Sequence, residues 1–562
     1  MSTNPIISEP WRAHYAHGCD WDMAFAPLSM PAMFAQTAAK FPDRPLVRFQ
    51  RRSFTYAQMQ AEARAFAAGL QAMGVAKGDR VGLFLPNVPT YTAAFFGAMM
   101  AGAVVVNFSP LYTAQELEAQ VVDSGVRLMV TLDVPALLPT AIRVLRDSPL
   151  ETLVVASLAS MLPWTKGWAL RLFGRKQLAK LPQAPDIMRW SDVLRPHAPD
   201  PVEIDPLRDP ALLQYTGGTT GTPKGAVLSH QNLTVNARQV RAIDLDRDSH
   251  DVVLGALPLF HVFANACVQN RTVANGGCIV MLPRFDAGQV LATIAKERPT
   301  AMFAVPTMLQ ALLDHPRAAQ TDCSSIRVCV VGGAPMGEPL RLRFEQVTGV
   351  RVVEGYGLTE CSGVASTNPL YSGDRPGTIG QPVPGTRLRL LDKDDPAIDA
   401  PAGEPGELAI LGPQVMLGYW NHPEAAATAF AARGTEMWLR TGDVATLDDE
   451  GFVRIVDRIK DMIVVGGFKV FPSQIEAVML THPAVKEALV IGMADAYHGE
   501  VPRGFVTLNS DVPAPSADEL KDWINLRVGK HERLDAVVIR LALPKTMIGK
   551  LDRKALRAEI AA

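Results

Sequence analysis

Apolar and polar positions along this chain fall in short blocks whose punctuation, more than their hydrophobicity, decides what they form. The longest block without a charge runs from Val81 to Gln115, more than the roughly 20 residues a helix needs to cross a bilayer. Pro86, Pro89 and Pro110 divide it into "RVGLFL", a helical "PTYTAAFFGAMMAGA" and "VVVNF". That is the strand, helix, strand order of a buried βαβ unit, and a membrane span is not expected. Downstream, β-branched runs such as "SIRVCVVGG" and "VRVVEGYG" alternate with helical stretches such as "PTMLQALLDHP" and "EPLRLRFEQVTG". The alternation predicts an α/β class with helix-covered, mostly parallel sheets.

From about Arg387 the pattern shifts to short strands with turn residues, as in "GTRLRLLDKDDPAIDAPAGEPGELAILG", which predicts a small β-rich subdomain over about 387–457. A charged cluster in "DRIKDMIVVGGFKVFPSQIE" then separates strand-like "FVRIV" from a glycine pair and a new helix. The expected division is a large N-terminal domain, 1–457, and a smaller α+β domain, 458–562. The second has its own strands ("EALVIGM", "RGFVTL", "AVVIRLA") and a helical "SADELKDWINLRVGK". No repeat of solenoid period is present.

Composition narrows the function without naming it. A chain of 562 residues is too long for one ordinary core. With 48% hydrophobic residues, 20% charged and a net charge of -2, it reads as a soluble globular protein with nothing that invites nucleic acid. Six scattered cysteines without CxxC spacing fit a reduced, cytoplasmic setting. The N-terminus lacks a basic start followed by an apolar run, so no secretory address is expected. Oligomeric state stays open, a homodimer included.

Candidate chemistry concentrates in "YTGGTTGTPKGA", Tyr215 to Ala226, between strand-like "PALLQY" and "AVLSH". Gly217, Gly218 and Gly221 permit positive φ and let backbone N–H groups gather into a concave donor site for anionic oxygens. Thr216, Thr219 and Thr220 add hydroxyls and Lys224 a point charge, so phosphate is the natural guest. A Walker A loop needs Gly-Lys followed by Ser or Thr; here Lys224 is followed by Gly225, and the P-loop reading fails at its defining position. The plain alternative is a threonine-rich hairpin.

With its companions, this loop closely resembles the signature phosphate loop of the adenylate-forming superfamily of acyl-CoA synthetases, adenylation domains and luciferases. Matching segments follow in the same order: "LPLFHVFA", "GGAPM", "GYGLTE", "TGD", "DRIKD", "GGFKVFPSQIE" and "PKTMIGKLDR". The resemblance implies ATP, Mg2+ and coenzyme A as cofactor and co-substrates. It implies adenine near Gly333, Ala334, Pro335, Tyr356, Gly357 and Thr359, Tyr356 offering a flat face. It implies ribose hydroxyls on Asp443 and Arg458, and metal ligation by Glu360 with a share from Thr216, a set suited to a cation that takes one or two carboxylates plus phosphates.

Lys550, by the same resemblance, supplies the catalytic cation while a carboxylate attacks the α-phosphate of ATP. Lys460 matches the residue about which the C-terminal domain rotates between half-reactions, presenting Gly466, Gly467 and Lys469 to the thioester-forming face. His261, with Phe260, would line or gate the acyl side; a histidine satisfied within the core is its bland alternative. Amino-acid adenylation domains usually have aspartate where His261 stands, and only 12 residues follow Lys550, so a free-standing ligase is favoured over a carrier-linked module. The stretch "YGLTECSGVASTNPLYSGDRPGTIGQPVPGT" looks most like bacterial long-chain fatty acid CoA ligases. Medium-chain and dicarboxylic acid ligases follow. A non-catalytic acyl-nucleotide sensor or membrane-associated scaffold is disfavoured by the full set of charged site residues.

One segment stands outside this chemistry. No acid occurs from Thr152 to Pro185, while Trp164, Trp168 and Phe173 mix with Lys166, Arg171, Arg175, Lys176 and Lys180. Residues 161–180 are therefore a candidate contact with an anionic membrane, an ordinary amphipathic surface helix being the alternative.

Overall fold

In a computed structural model that describes residues 9–174, 176–216, 223–246, 250–393, 395–509, 512–546 and 549–561, the uncharged block forms the expected βαβ unit. Strand Arg80–Leu83 leads into helix Pro89–Met100 and returns as strand Val104–Asn107, parallel to the first. The helix is apolar all round because it is buried all round: Tyr91, Phe95, Phe96 and Met99 are inaccessible. Such a helix belongs to a protein core. Among the described residues no helix is long and apolar enough to cross a membrane.

This unit belongs to an eight-stranded sheet that is parallel from strand Pro210–Thr216 across to strand Ile187–Arg189. Two antiparallel strands, Lys224–Ser229 and Gly418–Tyr419, extend its other edge. A nine-stranded sheet holds the strands of the "VCVV" and "VEGY" runs in parallel neighbours. One continuous apolar cluster fills the space around both sheets and their helices. The β-rich subdomain follows as a five-stranded antiparallel sheet, beginning with strand Arg387–Leu391. A further five-stranded sheet begins at Ile463 and packs on its own apolar cluster, including Ile475, Met479, Val490 and Leu520. The architecture is thus a large α/β domain with a β-rich subdomain, followed by a smaller α+β domain.

Two helices end earlier than their sequence pattern predicts. The helix in "SADELKDWINLRVGK" spans only Ala517–Asn525. The side chain of Asn525 bonds both backbone groups of Leu534, its Nδ2 donating to the carbonyl and its Oδ1 accepting from the N–H. That exchange turns the chain back before Gly529. In the aromatic and basic segment, Pro163 separates a turn of helix, Leu158–Met161, from helix Trp164–Phe173, after which Gly174 stops it.

Candidate active site

Strand Pro210–Thr216 leads into the candidate phosphate loop, and strand Lys224–Ser229 follows it. Thr216 and Lys224 face each other across the hairpin that brackets it. Gly217, Gly218, Thr219, Thr220 and Gly221 lie outside the described residues. From the far side of the loop, the Lys224 ammonium sits 5.6 Å from the centre of the Tyr419 ring. Tyr419 is carried by the edge strand that pairs with Ala226, and its hydroxyl donates to Glu360 Oε1 at 2.7 Å. Burial and the Glu360 charge push that phenol far above its ordinary pKa, so Tyr419 stays a donor. Glu360 is further placed by its own carbonyl, which accepts from the Met416 N–H at 2.8 Å.

Across the site, Asp443 of the β-rich subdomain and Arg458 at the boundary of the two domains stand directly opposite each other in an antiparallel ladder. Arg458 Nε donates to Asp443 Oδ1 at 2.9 Å, and the Tyr356 hydroxyl donates to Oδ2. Asp443 is almost fully buried, yet both carboxylate oxygens are engaged, as a buried charge requires. The phenol of Tyr356 is raised well above its ordinary value by burial and then by Asp443. Gly357 follows because nothing larger fits: a Cβ there would stand 2.0 Å from the Gly363 carbonyl oxygen. Thr359 begins the short 3-10 turn Thr359–Cys361 that presents Glu360.

Lys550 reaches this site from the smaller domain. A Cβ on Gly333 would lie 2.7 Å from Lys550 Cε and 3.2 Å from Nζ, so glycine is what lets the side chain pass; its φ of +82° is a second reason. The neighbouring Ala334 and Pro335 complete a loop whose Met336 N–H is accepted by Glu354 Oε2 at 3.2 Å. Burial and the nearby Arg458 cation lower the Lys550 pKa to about 8, with Asp443 opposing. Burial and the Lys550 charge in turn push His261 down to about 3. His261 is therefore a neutral imidazole, and its Nδ1 accepts from the Phe263 N–H at 3.3 Å. The structure brings His261 and Lys550 into one electrostatic neighbourhood, so the histidine is not remote from the site.

The other predicted residues of the smaller domain are placed differently. Lys460 lies in the short turn Ile459–Asp461, its pKa lowered by burial and by Arg458. Gly466 and Gly467 form the positive-φ tip of a hairpin, and Lys469 beside them is exposed. In this arrangement the lysine is in and the glycine hairpin faces solvent.

Several residues that hold the site escaped the sequence reading. Tyr419 has no motif of its own. Gln214, two residues before Thr216, donates to the Phe260 carbonyl at 3.0 Å and accepts from Asn107, tying the phosphate-loop strand to the loop of His261. Arg553 bonds Asp461 at 3.2 Å, which joins the lysine segment to the turn of Lys460. The charge pattern of "GKLDR" was the only available hint, and it cannot name a partner.

Known proteins resemble this chain along nearly its whole length. The description "AMP-binding enzyme" matches residues 34–420, and "AMP-binding enzyme C-terminal domain" matches residues 474–550. The chain belongs to the AMP-binding enzyme family. It is 35% identical over 556 residues to a long-chain-fatty-acid–CoA ligase of Bacillus subtilis, covering 98% of each chain. It is 37% identical over 542 residues to the enzyme of the same name from Escherichia coli, covering 94% of each. Among solved structures, an anthranilate CoA ligase in complex with anthranoyl-AMP superposes with a TM-score of 0.83 at 26% identity, over 96% of this chain and 98% of that one. The family member described here therefore shares an adenylate-forming fold along nearly its whole length.

Proposed function

We propose that this chain is an ATP-dependent, AMP-forming acyl-CoA ligase acting on long-chain fatty acids. The observation that carries the reading is the position of Lys550 against Gly333, in the field of Arg458, Asp443 and His261. In the first half-reaction a carboxylate oxygen forms a bond to the α-phosphorus, the bond to the bridging oxygen breaks, and pyrophosphate leaves. Charge gathers on the oxygens at both ends, and the Lys550 ammonium is the group that meets it. In the second, the thiol of coenzyme A attacks the acyl carbonyl, AMP departs, and the thiol proton is lost.

Each residue has a share in holding the substrates. The phosphate loop, with Thr216 and Lys224, cradles the outer phosphates. Tyr356 and the backbone at Gly333, Ala334, Pro335, Gly357 and Thr359 enclose adenine, and Asp443 with Arg458 receives the ribose. Neutral His261 and Phe260 close the acyl side. Glu360 and Thr216 would hold Mg2+, offering it one carboxylate and one hydroxyl oxygen. A cation that takes one carboxylate and completes its shell with phosphates and water suits that donor set. When bound it neutralises phosphate charge.

The second half-reaction needs another arrangement around the same carbonyl, and we assign the pivot to Lys460, dividing the chain into 1–457 and 458–562. Rotation would withdraw Lys550 and bring in Gly466, Gly467 and Lys469. Cytoplasmic residence belongs to the same reading, with residues 161–180 meeting the inner face of a membrane where a long-chain acid is collected.

A panel of mono- and dicarboxylic acids from hexanoate to octadecanoate, scored by ATP–pyrophosphate exchange with and without coenzyme A, tests the assignment. Highest kcat/KM for tetradecanoate and longer, with thioester product, is expected. A preference for short or dicarboxylic acids would remove the long-chain assignment, and exchange without thioester would remove the ligase.

A further inference from the structure

The segment without acids is held in a conformation that leaves its largest apolar side chains in water. Helix Trp164–Phe173 is clamped to the preceding turn at Gly167, where a Cβ would lie 2.4 Å from the Ala159 carbonyl oxygen. With that face fixed inward, Trp164 is 79% exposed, Trp168 63%, Leu172 51% and Phe173 86%. Four such side chains on ten residues are a concentration that a monomer surface rarely keeps without a use. Lys166, Arg171, Lys176 and Lys180 are exposed among them.

Between this helix and the turn before it runs an open cleft of ≈ 490 Å³, lined by Leu162, Pro163, Trp164, Trp168, Arg52 and Arg171. Arg52 comes from a distant part of the chain, strand Arg52–Thr55. Its guanidinium lies 4.5 Å from the Phe54 ring centre and donates to the Ser160 and Leu162 carbonyls. It is therefore held in place at the cleft with charge to spare. Two carboxylates lie within electrostatic reach, Asp133 of Arg171 and Glu62 of Arg52. Both are engaged elsewhere: Asp133 accepts the Leu158 N–H at 2.7 Å and Glu62 the Trp190 indole N–H at 2.9 Å. Neither arginine forms an ion pair with a described residue.

We infer that this cleft is a binding site for one anionic phospholipid of a bilayer. The headgroup phosphate bridges Arg52 and Arg171, the upper chain lies on Leu162, Pro163 and Trp168, and Trp164, Leu172 and Phe173 enter the interface around it. Charge complementarity selects this occupant over an uncharged apolar partner: every charged side chain on the helix and its flanks is a cation, and an arginine pair is geometrically suited to phosphate oxygens. The inference deepens the membrane contact proposed above and rests on it. It does not rest on the ligase reading, which a soluble acid tests separately.

The test uses the full chain and vesicles of phosphatidylcholine alone or with phosphatidylglycerol. Co-sedimentation should favour the anionic vesicles by roughly tenfold or more. The pair Arg52→Gln and Arg171→Gln should lose that preference, and Trp164→Ala with Trp168→Ala should lose binding to both. Soluble short-chain phosphatidylglycerol should compete for the site, and hexanoate should not. All variants should keep wild-type ATP–pyrophosphate exchange with hexanoate, which separates a failed membrane site from a failed fold or a failed ligase. Equal binding to both vesicle types, retention by the arginine pair, or competition by the free acid alone would overturn the lipid site. So would concentration-dependent dimerisation that the tryptophan pair abolishes without any vesicle binding.

Discussion

The two domains contribute to one site in opposite ways. The large domain and its β-rich subdomain hold Tyr356, Asp443, Arg458, Glu360 and Tyr419 through ladder pairing and mutual hydrogen bonds. Each of these is placed by contacts within the fold. Lys550 instead stands in an irregular segment, its N–H donating to Thr546 Oγ1 at 3.1 Å and its carbonyl accepting from the Thr546 N–H at 2.7 Å. The segment's approach to the large domain passes through glycine at Gly549 and Gly333, both at positive φ. An exposed ion pair, Lys486 to Asp314 at 2.8 Å, ties the same domains together. The contrast bears on the proposed division of labour: the residues proposed to hold the nucleotide are fixed by the sheets, and the lysine proposed to act in the first half-reaction comes from the smaller domain.

Removing the lysine's charge should break this contrast most severely. Lys550→Ala is expected to slow acyl-adenylate formation by about 10²–10³ or more, while thioester formation from supplied acyl-adenylate stays within a few-fold of wild type. Both half-reactions are measured separately, and equal loss would erase the proposed division of labour.

Gly333→Ala obstructs the lysine's approach and leaves the cation intact. The added methyl meets Lys550 Cε in a backbone conformation that L-residues rarely adopt. About hundredfold slower adenylation is expected, with thioester formation from supplied adenylate again spared. ATP binding by calorimetry should fall much less than the rate.

A pH titration reads the same lysine. Because its pKa is lowered to about 8, kcat/KM for ATP in the first half-reaction should be flat below that pH and fall up to tenfold per unit above it. The folded value lies below lysine's ordinary one, so raising the pH through this window favours the folded arrangement. A falling rate then reports lost charge and not unfolding. An unchanged rate up to pH 10 would place another cation in the role.

The mildest perturbation is Lys486→Ala. An exposed pair of this kind contributes about 1 kcal/mol or less. The expected outcome is adenylation slowed by no more than about fivefold and thioester formation equal or faster, measured as the ratio of half-reaction rates. A large loss in both would assign the pair a structural role.

Much of the candidate site was legible because its residues sit in short segments whose order is itself informative. Thr216, Lys224, Glu360, Asp443, Arg458 and Lys550 could each be named from a few neighbours. Their supports could not. Tyr419 reaches Glu360 only because an edge strand pairs at Ala226. Glu354 serves the Gly333 loop through a hydrogen bond to Met336, and Gln214 serves the His261 loop through one to Phe260. These are contacts between elements distant in sequence, and a local pattern carries no record of them. The candidate membrane contact at 161–180 shows the same limit at smaller scale. Pro163 and Gly174 were visible, but the exposure of its aromatic face depends on where Gly167 meets Ala159.

By itself, the sequence determined the α/β class, the βαβ reading of its uncharged block, the β-rich texture after Arg387 and, through the order of its motifs, the family. Local periodicity and punctuated motifs suffice for these, since each is set within a few residues. The tertiary structure alone decided that Asp443 is held by Tyr356 and Arg458, that His261 is neutral beside Lys550, and that Lys550 is in while Lys469 is out. Those outcomes depend on burial and on distances between remote parts of the chain, because electrostatic energies vary with separation and solvent exclusion rather than with order along the sequence.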